Sequence, residues 1–163
     1  MVTVFLLRHG ETAWNKLGRV MGRTQVPLGA DGIQQIQKIA PLVGKLELDG
    51  IYTSPLRRAV QTTKVVAQGT NLPICRSEGL NEIAFGKWEG RHFDDLIDDE
   101  LYRRFIKSPA KTLLPGGETI SDVQRRGLSV IHEAAQKVPG GRFLFVSDGV
   151  IGEILQPLDE TVA

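Results

Sequence analysis

Cysteine occurs once in this chain, at Cys75, which excludes an internal disulfide framework and fits a reducing compartment. Net charge is nearly absent: 20 basic residues face 19 acidic ones, for a formal +1. A nucleic-acid surface needs a basic excess or stripe, so that partner class is excluded. Long apolar runs are missing too. No stretch approaches the ~20 residues of a membrane helix. The short apolar run at the N-terminus has no basic region before it and is not read as a signal peptide. Three scattered histidines and one cysteine make no metal-ligand cluster, so neither a metal nor a cofactor is expected. No internal repeat, low-complexity tract or interdomain linker interrupts the chain. What remains is 163 residues, 41% hydrophobic and 24% charged, which suits one soluble cytoplasmic domain over 1–163 with a substantial core.

Residues 2–7, VTVFLL, are apolar, rich in branched side chains and barely alternating, which suits a strand covered on both faces. Ile33, Ile36, Ala40 and Val43 recur at helical spacing over 31–46, and Pro41 is expected to kink or shorten that helix. Residues 50–53 read as a short strand. Ser54 is placed at the N-cap of the next helix and Pro55 at its first position, which puts Arg57 and Arg58 in its first turn. Residues 73–76 suit a further short strand and about 94–106 a helix. PGGET leads into a helix carrying Ile120, Val123, Gly127, Val130, Ile131, Ala134 and Val138 on one side. RFLFVS is a fourth strand, and VIGEIL after Gly149 a brief helical stretch. Strands alternating with helices imply an α/β fold: a three-layer sandwich with a mostly parallel central sheet and helices on both faces. Ligands of such sheets sit off the carboxyl ends of the strands. Three of those ends carry chemistry: Arg8-His9, Ser54 through Arg58, and Ser147-Asp148.

A histidine ring nitrogen can attack phosphorus and form a covalent intermediate. The transferred group is anionic, so cations must surround it. Arg8 suits this better than a lysine, because a planar guanidinium binds phosphate oxygens in pairs. Gly10 lets the backbone approach an anion closely. Arg58 adds a second guanidinium, at a helix start whose dipole end favours anions. A lone histidine would be read as a surface residue at a strand end. An Arg-His-Gly terminus matched by an arginine pair at a second terminus is read as a phosphate-handling site. His92, in a polar loop, and His132, in a helical pattern, have no such company. GRVMGRT is not a P-loop: that motif needs four residues between its glycines and a lysine after the second, and this segment has three and an arginine.

RHGET with Asn15 six residues past His9, SPLRRAVQT, LNEIAFGKWEG, PGGET and a strand ending in Ser-x-Gly occur in this order. The set resembles the histidine phosphatase superfamily, whose members include cofactor-dependent phosphoglycerate mutases and many small phosphatases. The resemblance runs from Val2 to about Leu155. It implies that His9 is the nucleophile that becomes phosphohistidine. It implies that Arg8 and Arg58 clamp the phosphoryl oxygens, that Asn15 donates a further hydrogen bond, and that Arg57 is peripheral. Glu82 matches the acid/base that protonates the leaving oxygen and later activates water. Read from the residues alone, Glu82 is one candidate beside Glu89 and Glu118; burial near a phosphate would raise its pKa and favour the acid form. Met21 and Gly22 fall where the family places a polar residue and a glycine near the substrate. The stretch from Glu82 to PGGET is short for a mutase and resembles the compact phosphatases.

Three departures stand out. Where the family ends its fourth strand in Ser-His-Gly, this chain has Asp148 in "FVSDGV". An ionised carboxylate has no proton to give a phosphoryl oxygen. It also repels one, at roughly 4 kcal/mol for a pair ~4 Å apart in an effective dielectric near 20. Asp148 could be protonated, could point away, or could pair with Arg8 or Arg58; the ion pair is the favoured reading. A plainer alternative is a turn residue before Gly149. Second, the chain stops at Ala163, where relatives continue with a full helix and a strand. A sheet edge is therefore expected to be missing or covered by a partner, a homodimer being the candidate. Third, Met21 and Gln25 replace polar and acidic types.

The leading expectation is a phosphomonoester phosphatase for a small phosphorylated substrate, working through His9 and impaired by Asp148. The alternatives are a non-catalytic phosphoester-binding or interaction domain on the same fold, and a cofactor-dependent phosphoglycerate mutase. Selectivity is assigned to residues 86–117, where Lys87, Arg91, Arg103 and Arg104 either meet a second anionic group or face water.

Overall fold

Thr3–Arg8 forms β1, and its apolar alternation is split between two cores: Val4 and Leu6 pack on one, Phe5 and Leu7 on the other. The computed structural model describes residues 2–150. After a single helical turn, α1 (Ala13–Lys16), come α2 (Ala30–Val43), β2 (Gly50–Thr53), α3 (Arg57–Val66) and β3 (Ile74–Arg76). A loop region of 3-10 turns leads to α4 (Glu100–Lys107), then α5 (Ile120–Lys137) and β4 (Arg142–Ser147). The sheet has the order β1-β4-β2-β3, and every pairing is parallel.

Burial on both faces explains the composition of the strands. On one face Tyr52, Phe143 and Phe145 meet Val123, Val130, Ile131 and Ala134 of α5. Tyr52 stacks on Phe145 at 5.1 Å between centroids and meets Phe143 edge-on at 5.7 Å. On the other face Ile51, Leu144 and Val146 meet Ile36 and Val43 of α2 and Ala59 and Val66 of α3. This is the α/β sandwich expected, with helices on both faces and a sheet that is parallel throughout.

Two boundaries differ from the sequence reading. Helix α3 begins at Arg57, not Pro55: Leu56 stays extended at ψ 137°, Ser54 Oγ accepts from Leu56 N, and the free amide of Arg57 donates to Gln25 Oε1. The helix expected over 94–106 is split. Asp94–Leu96 forms a 3-10 turn, and Asp99 then caps α4 by accepting from Tyr102 N at 3.0 Å. Aspartate side chains compete for backbone amides in this way and favour a fresh helix start over continuation. Helix α2 ends at Val43, two residues past Pro41, rather than at 46. The helical reading of VIGEIL and the expected missing edge fall on 151–163, outside the described residues.

Candidate active site

Parallel pairing brings the carboxyl ends of β1, β4 and β2 to one rim. The register Arg8↔Ser147 places His9 and Asp148 side by side, one residue past their strands, with His9 N donating to Ser147 O at 3.0 Å. His9 is only 6% exposed. Its Nδ1 lies 2.7 Å from Gly10 O, and a carbonyl can only accept, so Nδ1 carries the proton. In the neutral ring the lone pair is then on Nε2. Gly10 must be glycine: a Cβ there would stand 2.6 Å from Gly32 O and 2.8 Å from Ile36 Cγ1. Its N–H donates to Thr62 Oγ1, which ties the turn after β1 to α3.

Arg58 rises from the first turn of α3 and is fully buried. Nη1 donates to Thr24 O at 2.8 Å and Nη2 to Gly22 O at 2.7 Å, while Nε donates to Asp148 Oδ1. Gly22 supplies that carbonyl from a left-handed φ of +51°, which is why a glycine stands there. The ion pair expected of Asp148 is thus made with Arg58, not with Arg8. Arg8 is exposed and passes over Gly149, where a Cβ would meet its Cζ at 3.3 Å. Asp148 Oδ1 also lies 3.3 Å from His9 Nε2. Among the described residues, His9 Nε2 and Asp148 Oδ2 are the two buried side-chain polar atoms with no hydrogen-bond partner.

Glu82 reaches the same place from the loop after β3. Its Oε1 accepts from Ile83 N at 2.8 Å and its Oε2 from Val150 N at 3.1 Å. Burial, and then the negative charge of Asp148, push its pKa up to about 7, against the pull of those two amides and of Arg58.

All eight residues singled out from the sequence line one cavity of about 320 Å³: Arg8, His9, Asn15, Met21, Gly22, Arg58, Glu82 and Asp148. Asn15 turns its Oδ1 back to Thr12 N and Oγ1, capping α1, so only its amide N–H groups are free for a ligand. Met21 Sδ lies 3.2 Å from Thr12 Oγ1. Glu89 and Glu118 are spent on the scaffold: Glu89 accepts from the amides of Arg23, Thr24 and Phe85, and Glu118 pairs with Arg23 and Arg126. Arg57 is exposed, and His92 and His132 lie outside the cavity.

Sequence reasoning missed the aromatic wall. Phe85, Trp88, Phe93, Tyr102, Phe105 and Ile106 line the same cavity, together with Arg19. A signal was present: half of the ten aromatic residues fall between Phe85 and Phe105. The cations weighed for that segment do not line the cavity. Lys87, Arg103 and Arg104 are exposed, and Arg91 donates to Asp95 O.

One cavity at the rim of a parallel α/β sheet thus holds a histidine, two arginines and the two carboxyl groups of Glu82 and Asp148 among its described lining residues. The chain belongs to the histidine phosphatase superfamily (branch 1), whose family model matches residues 4–156. It is 32% identical over 152 residues to the "Probable phosphoglycerate mutase GpmB" of Cronobacter sakazakii, covering 92% of this chain and 71% of the relative. Bacillus stearothermophilus YhfR superposes with a TM-score of 0.90 at 33% identity, over 97% of this chain and 79% of that one. Phosphoserine phosphatase from Entamoeba histolytica, solved in complex with 3-phosphoglyceric acid, superposes with a TM-score of 0.85 at 31% identity, over 98% and 81%. Phosphatases and a mutase-like protein thus share this fold.

Proposed function

We propose that this chain is a phosphomonoester phosphatase that works through a phosphohistidine on His9 and is slowed by Asp148. The observation that carries the reading is the hydrogen bond from Nδ1–H to Gly10 O, which leaves the Nε2 lone pair beside the cavity that also holds Glu82 and Arg58. Nε2 attacks phosphorus, the bond to the ester oxygen breaks, and Glu82 in its acid form protonates that oxygen. Water then attacks the phosphohistidine, Glu82 takes its proton, and the P–N bond breaks. Arg8, Arg58 and the amide of Asn15 hold the equatorial oxygens. Asp148 weakens the clamp by occupying Arg58 Nε and by placing a negative charge 3.3 Å from the nucleophile.

The aromatic wall favours a substrate whose alcohol part is apolar or flat. A phosphoglycerate would bring a carboxylate against Phe85 and Phe105, with Arg19 as the described lining cation outside the clamp and Lys87, Arg103 and Arg104 not lining the cavity. That supports hydrolysis over a mutase reaction. The test is release of free phosphate from p-nitrophenyl phosphate, together with an acid-labile phosphate adduct on His9 seen by mass spectrometry after rapid quenching. Neither turnover nor adduct, in this chain and in Asp148→His alike, would leave the non-catalytic binder as the better reading.

A further inference from the structure

Asp148 Oδ1 is held by Arg58 Nε, but Asp148 Oδ2 is buried and has no donor among the described residues. It belongs to a residue that is 1% exposed and borders the cavity beside the equally unpartnered Nε2 of His9. A phosphoryl group within bonding reach of Nε2 must therefore put an oxygen against this carboxylate. Two anionic oxygens cannot share that contact; one proton between them turns repulsion into a charge-assisted hydrogen bond. Leaving the contact instead would require Asp148 to give up its buried pair with Arg58, which strands both charges.

We infer that the site takes the phosphoester as its monoanion, so that phosphate binding carries one proton into the contact between a phosphoryl oxygen and Asp148 Oδ2. This rests on the phosphoester reading above and adds the protonation state of the substrate. Every charged group facing Asp148 enters the balance. Arg58 from α3 holds Oδ1, His9 follows β1, Arg8 closes β1 and passes over Gly149, and Glu82 comes from the loop after β3. Arg58 and Arg8 stay cationic and supply no proton. His9 keeps Nδ1–H on Gly10 O and needs Nε2 free for attack. Glu82 accepts from Ile83 N and Val150 N through its two oxygens, so both already have a donor, and any proton it takes up itself is removed from the balance in Glu82→Gln. Asp148 Oδ2, buried without a donor among the described residues, is the acceptor that the proton of the phosphoester meets.

The experiment is calorimetric titration of inorganic phosphate into the full chain at about pH 8, where the free ligand is mostly dianionic, in two buffers of different ionisation enthalpy. About one proton should be taken up per phosphate bound. Asp148→Asn keeps an oxygen for Arg58 and offers an amide N–H where the proton sat. Its uptake should fall towards zero, and its affinity at that pH should rise about tenfold or more. Glu82→Gln, which cannot titrate at that position, should still take up most of a proton per phosphate bound. Equal uptake by the native chain and Asp148→Asn, or loss of uptake in Glu82→Gln, overturns the inference while leaving the phosphoester site in place. Failure of the native chain and Asp148→Asn to bind phosphate anywhere between about pH 5 and about pH 8 overturns the phosphoester reading, and the inference with it.

Discussion

Arg58 and Asp148 form an ion pair closed to solvent, with side-chain exposures of 0% and 1%. The arginine is anchored on three sides, by Asp148 through Nε and by the Thr24 and Gly22 carbonyls through its terminal nitrogens. One contact thus joins the first turn of α3, the residue after β4 and the loop around Gly22. It pairs two buried charges in the lining of the cavity and makes Arg58 a residue that holds the fold.

Removing one partner of such a pair strands the other as an uncompensated buried charge, at a cost of about 3–5 kcal/mol. Arg58→Ala should therefore lower the urea midpoint strongly at an unchanged slope. Replacing both partners, Arg58→Met with Asp148→Leu, should recover most of that loss, since an apolar pair of similar volume carries no desolvation penalty. If the double variant is as unstable as the single one, the carbonyl contacts of Arg58 and not its charge pair hold this corner.

Glu82 makes stability depend on pH. Folded, it holds its proton up to about 7, whereas its ordinary value is 4.5. Between those values the folded state binds more protons than the unfolded one, so the stabilisation is complete below about 4.5 and is lost as pH rises through about 7. The span corresponds to roughly 3 kcal/mol. Denaturation at about pH 5 and about pH 8 should show native stability falling, with Glu82→Gln losing most of that difference. Hydrolysis should fall on the same alkaline side, because the leaving oxygen needs the acid form.

Asp148→His should raise kcat/KM for p-nitrophenyl phosphate about tenfold or more, by returning a donor to the phosphoryl oxygens and freeing Arg58 Nε. Each tenfold is about 1.4 kcal/mol of barrier, a fraction of the roughly 4 kcal/mol that a carboxylate–phosphate pair costs at ~4 Å. Steady-state kinetics on the two folded proteins decides it. An unchanged or lower kcat/KM would sink the account of Asp148 as the brake.

The strands were legible because they are buried on both faces and bounded by glycine, serine or proline; Gly50–Thr53 and Arg142–Ser147 fell on the expected residues. The start of α3 was not, because the acceptor for Arg57 N is Gln25, a residue more than 30 positions away that no local pattern announces. The break before α4 depended on whether Asp99 faces its own backbone or water. That Arg8, His9 and Arg58 share one cavity was legible, since strand ends of a parallel sheet converge on one rim. The place of Glu82 in that cavity needed the family resemblance: one acidic loop residue looks like another until burial is known, and Glu89 and Glu118 bond to the scaffold instead. The aromatic wall was hidden because residues 85–106 form 3-10 turns and a short helix with no simple period, so the face they share appears only in three dimensions.

That wall should govern which esters are accepted. Phe105 is partly buried, meets Phe85 edge-on at 6.1 Å and Trp88 at 6.3 Å, and lines the cavity. A flat apolar leaving group gains contact there; a small polyol does not. Loss of about 1–2 kcal/mol of that burial is a factor of roughly 5–30. Phe105→Ala should therefore raise KM for p-nitrophenyl phosphate by that order while leaving KM for glycerol phosphate and both kcat values near native, and Phe105→Leu should restore most of the loss. Equal rises for the two esters would mean that Phe105 acts through the packing of α4 rather than through the substrate.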